Sequence, residues 1–311
     1  GKGSEETVRE LQSYALDFIS KETSYPTKHE KIKSDSYIST DATKSIEDSL
    51  RSCLSINSQQ KSRILPAIAG LGGIFLEGGS GIGKSSLIES ILNQSNIKYH
   101  KIDASMPLDQ KIKIITTAFE EGEAVWIDEL NSCMGGGFKE FLKSVLEGRH
   151  PQTGKPSDNP GFLLIASSNK ASMDGRDIID KETRHMLHCP KVPDLRNFKV
   201  KDVTEILDYW FDKKTLEQDE MSHEENGRKR DLYTTQEMAI QFCKLLEQGQ
   251  ELNLRDLKCA FNNIYKEMTI VPSVKDTENA RDYVSPKVNI RLRSTANLTL
   301  GDPEWKIGGS R

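Results

Sequence analysis

The stretch "FLEGGSGIGKSS", residues 75–86, decides the fold. Gly78, Gly79, Gly81 and Gly83 are followed at once by Lys84, Ser85 and Ser86. The spacing Gly78-x4-Gly83-Lys84-Ser85 is that of a phosphate-binding P-loop, set between an apolar run that reads as a strand and an apolar-periodic run that reads as a helix. In such a loop the backbone N–H groups turn inward around an anion, and side chains at the glycine positions would crowd it. The cradle comprises Gly78, Gly79, Ser80, Gly81, Ile82, Gly83, Lys84, Ser85 and Ser86. Lys84 would reach the β/γ-phosphates of a nucleotide and the Ser85 hydroxyl would ligate Mg²⁺. A glycine-rich turn beside an exposed lysine is the plain alternative, and the strand-loop-helix context argues against it.

Two downstream stretches supply what such a loop needs. "AVWIDELN" is an apolar strand ending in Asp128-Glu129. Asp128 would hold the shell of the Mg²⁺ ion, and Glu129, one residue on, would orient and activate water. "LLIASSN" is a second apolar strand, ending in Ser167, Ser168 and Asn169. The Asn169 amide at a strand end can hydrogen-bond the attacking water and the γ-phosphate together.

Around these motifs the chain alternates strand and helix: "GGIFLEG", "SSLIESILNQS", "IKYHKIDA", "PLDQKIKIITTAFEEG", "AVWID", "FKEFLKSVLEG", "GFLLIASSN", "RDIIDKETRHML" and a last short strand in "HCPKVPDL". Pro107 first and Gly122 last punctuate one helix. This order predicts a doubly covered, five-stranded parallel sheet, a three-layer αβα core over 43–195. A helix with Ile46, Leu50 and Leu54 on one face opens it. Residues 1–42 read as a helix over 4–21 and a polar linker containing Pro26. Residues 196–270 read as a small helical domain, with a solvated, highly charged insertion at 213–231. Residues 271–311 read as a mostly non-helical extension.

Composition narrows the function classes. A net charge of −4 and 29% charged residues give no bulk attraction to nucleic acid or acidic membranes. No basic, aromatic-rich stretch argues for nucleic acid. The five cysteines lack a CxxC spacing and read as reduced thiols, with neither disulfide framework nor zinc site. "ILPAIAGLGGIFL" is too short to span a bilayer, and "GKGSEETVRE" is unlike a secretion signal, so a cytoplasmic protein is expected.

The three motifs, in this order, resemble the AAA+ ATPases: Walker A in "GGSGIGKS", Walker B in "VWIDE" and sensor 1 in Asn169. Within that superfamily "VWIDELN", "LEGRH" before "PGFLLIASSN", and "LNLRDLKCAF" are similar to the MoxR/midasin/dynein-related group. The resemblance runs from about residue 45 to 270. It implies strand order 5-1-4-3-2, a helical lid, and self-association into a ring, usually hexameric. It also implies a trans-acting arginine finger, which falls on Arg184 with Arg176 as runner-up, and a sensor 2 arginine, which falls on Arg255. The finger match is partial, because the chain has Thr183-Arg184-His185-Met186 where relatives often carry paired arginines before an aromatic. "NSCMGGG" and the loop 150–161 depart from the pattern and are candidate contacts for a client.

The expected activity is Mg²⁺-dependent ATP hydrolysis coupled to remodelling of a protein or complex. A nucleotide-binding switch or scaffold with little turnover, a GTP-using relative and a P-loop kinase are the alternatives. The kinase leaves the Asp128-Glu129 pair followed by Asn169 unexplained.

Overall fold

A computed structural model describes residues 6, 7, 10, 11, 31–61, 72–169, 179–217 and 235–267. The described residues fall into two compact units. The first is built on Thr43–Pro193 with the described residues up to Ser39; the second on Thr40–Ala42 and the described residues from Asp194.

In the first unit, helix α1 (Lys44–Lys61) precedes β1 (Gly73–Gly78), α2 (Lys84–Ser95), β2 (Tyr99–Ile102) and α3 (Leu108–Glu121). Then follow β3 (Ala124–Ile127), a 3-10 turn (Leu130–Ser132), α4 (Phe138–Leu146), β4 (Leu163–Asn169) and α5 (Lys181–His185). The four strands are all parallel, in the order β1-β4-β3-β2. Because side chains alternate along a strand, each strand feeds both faces of the sheet. Ile74, Leu76, Trp126 and Ile165 pack with α1 and α2; Phe75, Val125, Ile127, Leu164 and Ala166 pack with α3 and α4. Each such large apolar side chain contributes about 1.5–3 kcal/mol by leaving water. Trp126 belongs to this core, with Tyr99 at 6.4 Å between ring centroids.

The fifth strand shrinks to one residue. His188 makes a single parallel bridge with Ile74, on the free side of β1. His188 N donates to Gly73 O at 2.8 Å, and Phe75 N donates to His188 O at 2.8 Å. The next N–H in that ladder would belong to residue 190, which is a proline and has none, so pairing stops. The helix expected over "RDIIDKETRHML" is five residues long where it is described, and residues 176–178 lie outside the described residues.

Part of the expected linker is packed structure. Residues 31–40 fold back on themselves through an antiparallel bridge between Lys33 and Ile38, with Ser39 N donating to Ile32 O at 2.7 Å. Ile32 and Tyr37 join the α1–α2 core. Apolar residues this sparse show no periodicity, so the sequence gives no local signal for their burial.

The second unit holds α6 (Val200–Glu217), α7 (Thr235–Glu247) and α8 (Leu254–Glu267). Phe211 and Trp210 of α6 pack on Phe261 of α8, at centroid distances of 6.2 and 5.9 Å. Asn253 and Asp256 form a reciprocal cap at the start of α8, each backbone N–H donating to the other's side chain at 3.0 Å. Helix α6 runs through residues 213–217, which the sequence assigned to the charged insertion. The remainder of that insertion, most of the expected 4–21 helix and the 271–311 extension lie outside the described residues; residues 6, 7, 10 and 11 are helical.

Candidate active site

The site forms where β1, β3 and β4 end on the same edge of the sheet. Strand β1 stops at Gly78 and α2 starts at Lys84, so the glycine run is the whole connection. Gly83 caps α2 at φ 93°, in the left-handed region that a side chain disfavours. A Cβ on Gly78 would lie 2.8 Å from Val192 Cγ1, so that turn also requires glycine. Lys84 is buried, and its ammonium donates to Gly78 O at 3.1 Å, Gly79 O at 2.6 Å and Asn169 Oδ1 at 3.1 Å. Gly78 and Asn169 are direct register partners across β1 and β4, and this places the amide beside the loop.

Asp128 follows β3 directly. Its Oδ1 accepts the Ser85 hydroxyl at 3.0 Å and the Ser167 hydroxyl at 2.8 Å. Glu129 has φ 56°, one of two non-glycine residues in the left-handed region among the described residues. Strain of this kind costs about 1–3 kcal/mol and is found where a side chain must be aimed. Asn131, buried in the following turn, donates its amide to Asn169 O at 3.5 Å and so connects the β3 and β4 ends.

The arginines are placed differently from the motif residues. Arg184 points into its own chain: Nη1 and Nη2 donate to Glu77 Oε1 and Oε2 at 3.0 and 2.6 Å, and Nε donates to Ile179 O at 3.0 Å. The fork expected to meet a neighbouring subunit is thus held by a carboxylate of β1. Arg176 lies outside the described residues. Arg255 is exposed in the first turn of α8, in the second unit.

Four contributors were not singled out by their sequence pattern. Ser167 orients Asp128, Asn131 ties two strand ends, Glu77 holds Arg184, and the Tyr37 ring lies 3.4 Å from where a Gly83 Cβ would be. The switch from the apolar run 163–166 to polar Ser167 within β4 was the available signal for the first. Burial, reinforced by the charge of Glu47, pushes the Tyr37 phenol far above its usual pKa, so it stays neutral beside the loop. Burial likewise raises the Cys133 thiol, opposed by Lys111.

The oxygen donors of Ser85 and Asp128 are hard ligands of the kind Mg²⁺ takes, and that ion is commonly held by one or two protein groups plus substrate phosphates. Among the described residues no cluster of three or more His, Cys, Asp or Glu forms an all-protein cage. The donor set therefore fits Mg²⁺ bound together with a nucleotide.

Residues 74–187 match the model of a family described as "ATPase family associated with various cellular activities (AAA)". The first unit has the AAA+ P-loop NTPase fold. The matched stretch runs from β1 to α5 and includes the phosphate loop, Asp128-Glu129 and Asn169. Among solved structures the chain is similar to a point mutant of Thermotoga maritima RuvB, with 17% identity and a TM-score of 0.41, over 78% of this chain and 83% of that one. A search among curated proteins returned no match. No helix among the described residues is long and apolar enough to cross a membrane.

Proposed function

We propose that the chain hydrolyses ATP at the C-terminal ends of β1, β3 and β4. The observation that carries this is the convergence on adjacent Lys84 and Ser85 of two residues distant in sequence: Asn169 accepts from Lys84 and Asp128 accepts from Ser85. Lys84 would bind and neutralise the β/γ-phosphates. Mg²⁺, held by Ser85 and Asp128, would supply charge neutralisation on the phosphate oxygens. Asn169 would orient the attacking water, and Glu129 would accept its proton. Arg184 is committed to Glu77, so the arginine that a ring would supply in trans is not assigned to it.

The wider biology follows from the family resemblance: assembly into a ring of six subunits in the cytoplasm, with movement of a helical lid bearing Arg255 used to remodel a protein or complex. A nucleotide switch with little turnover is the second reading, favoured by the engagement of Arg184 within its own chain. GTP in place of ATP is separated by competition between the two nucleotides.

The decisive experiment is Mg²⁺-dependent phosphate release by the wild type and by Glu129→Gln. Loss of a positioned general base lowers turnover by about 10²–10⁴ with nucleotide binding retained. An unchanged rate would remove Glu129 from the role of base, and a wild type that binds ATP without turnover would establish the switch.

A further inference from the structure

We propose that Arg184 works inside its own chain, as a positioning residue that fixes the start of the phosphate loop through Glu77. The inference rests on the nucleotide site described above and assigns the arginine a role different from that of a trans finger.

The geometry is a two-pronged fork. Both terminal nitrogens of Arg184 donate to the two oxygens of Glu77, and Nε donates to the Ile179 carbonyl, so each nitrogen of the guanidinium has a partner in the same chain. Both side chains are about three-quarters buried, at 24% and 23% exposure. The guanidinium also lies 5.5 Å from the Phe75 ring, on the same face of β1 as Glu77. Such a bidentate, partly desolvated pair is geometrically specific, and removing one partner strands the other.

Its position matters more than its strength. Glu77 immediately precedes Gly78, whose carbonyl receives the Lys84 ammonium. Glu77 pairs in register with Ser168, and Gly78 with Asn169. Glu77, one residue before the end of β1, is thus held along its backbone by β4 and through its side chain by Arg184. The backbone bonds between β1 and residues 186–188 stop at Phe75, and beyond that point residues 181–188 reach β1 through the Arg184–Glu77 ion pair. Release of Glu77 would let the Gly78 and Gly79 carbonyls move, and with them the seat of Lys84.

The test uses ADP, which lacks the γ-phosphate that a trans finger would meet. ADP affinity, read with a fluorescent N-methylanthraniloyl ADP, and kcat are measured on the full chain for wild type, Glu77→Gln, Arg184→Ala, Arg184→Lys and the Glu77→Gln/Arg184→Ala double variant. Each of Glu77→Gln and Arg184→Ala is expected to weaken ADP binding about tenfold, the double variant no more than the worse single, since residues in one ion pair couple. Arg184→Lys, with charge but no fork, recovers part of the loss. Unchanged ADP affinity in Arg184→Ala, whether with a collapse of kcat or only with a lower melting temperature, overturns the inference, as do fully additive losses. Glu77→Gln is nearly isosteric and keeps the test valid if Arg184→Ala fails to fold. A wild type that binds neither ADP nor ATP would instead overturn the nucleotide site itself.

Discussion

Strand β3 carries a carboxylate at each end, and the two are held by different chemistry. Glu123, just before β3, is buried and meets two nitrogen groups: Lys98 Nζ at 2.7 Å and His100 Nε2 at 2.5 Å. Burial alone would raise its pKa, but the hydrogen bonds from Lys98 and His100, together with their charges, hold it below the usual carboxylate range. Asp128, just after β3, accepts only two neutral hydroxyls among the described residues, those of Ser85 and Ser167. A carboxylate neutralised by its own chain ties down a strand. One held in place by two hydroxyls is, in the proposed function, the group a ligand cation would meet. The same strand is therefore fastened at its N-terminal end and, in the proposed function, equipped for chemistry at its C-terminal end, the edge where ligands bind in open parallel sheets.

The sharpest way to break this contrast is to neutralise each carboxylate in turn. Asp128→Asn is expected to cost about 10²–10³ in Mg²⁺-dependent turnover, the scale of losing an electrostatic group at a reacting phosphate. Its melting temperature should stay near that of the wild type, because hydroxyls can donate to an amide oxygen as well. Turnover within a few-fold of wild type would show that Asp128 is as structural as Glu123.

A smaller effect separates orientation from charge. Ser167→Ala leaves the Asp128 carboxylate with one hydroxyl, and apparent Mg²⁺ affinity should fall about tenfold, as for other groups that orient metal ligands. A Mg²⁺ titration of activity reads this directly, and an unchanged midpoint would remove Ser167 from the site.

Glu123→Gln should do the reverse of Asp128→Asn: turnover within about twofold, and stability lower by about 1 kcal/mol in a denaturant melt. The loss is held to that size because Lys98 is 66% exposed and rehydrates when its partner is gone. The smallest effect is its pH dependence. Glu123 has a folded pKa below its ordinary value of 4.5, so its contribution is fully present above that pH. It is lost as pH falls through the folded value and the carboxyl protonates. The stability gap between wild type and Glu123→Gln should close on acidification from pH 7 to about pH 3. A gap constant over that range would mean the charge of Glu123 does not matter.

Much of this was legible along the chain. The apolar spacing of Leu87, Ile88, Ile91 and Leu92 places α2 correctly against the sheet, and all four are buried. The P-loop pattern is contiguous, so its meaning survives without tertiary information. Asp128 and Asn169 follow from apolar strands that end in polar residues. The fifth strand was over-read because apolar content suggests pairing, while Pro190 removes the N–H on which pairing depends. Residues 31–40 were under-read because their few apolar side chains find partners on elements distant in sequence.

The sequence by itself determined the phosphate loop, the order of strands and helices along the chain, and which polar residues sit at strand ends. These are local properties, set by backbone freedom at glycine and by the periodicity of apolar residues. Tertiary structure alone decided the partners of the charged groups. The periodicity gives no hint that Arg184 meets Glu77, 107 residues away, or that Ser167 and Ser85 share one oxygen of Asp128. Charge pairing depends on which strand ends the sheet brings side by side, and that follows from strand order rather than from chain order.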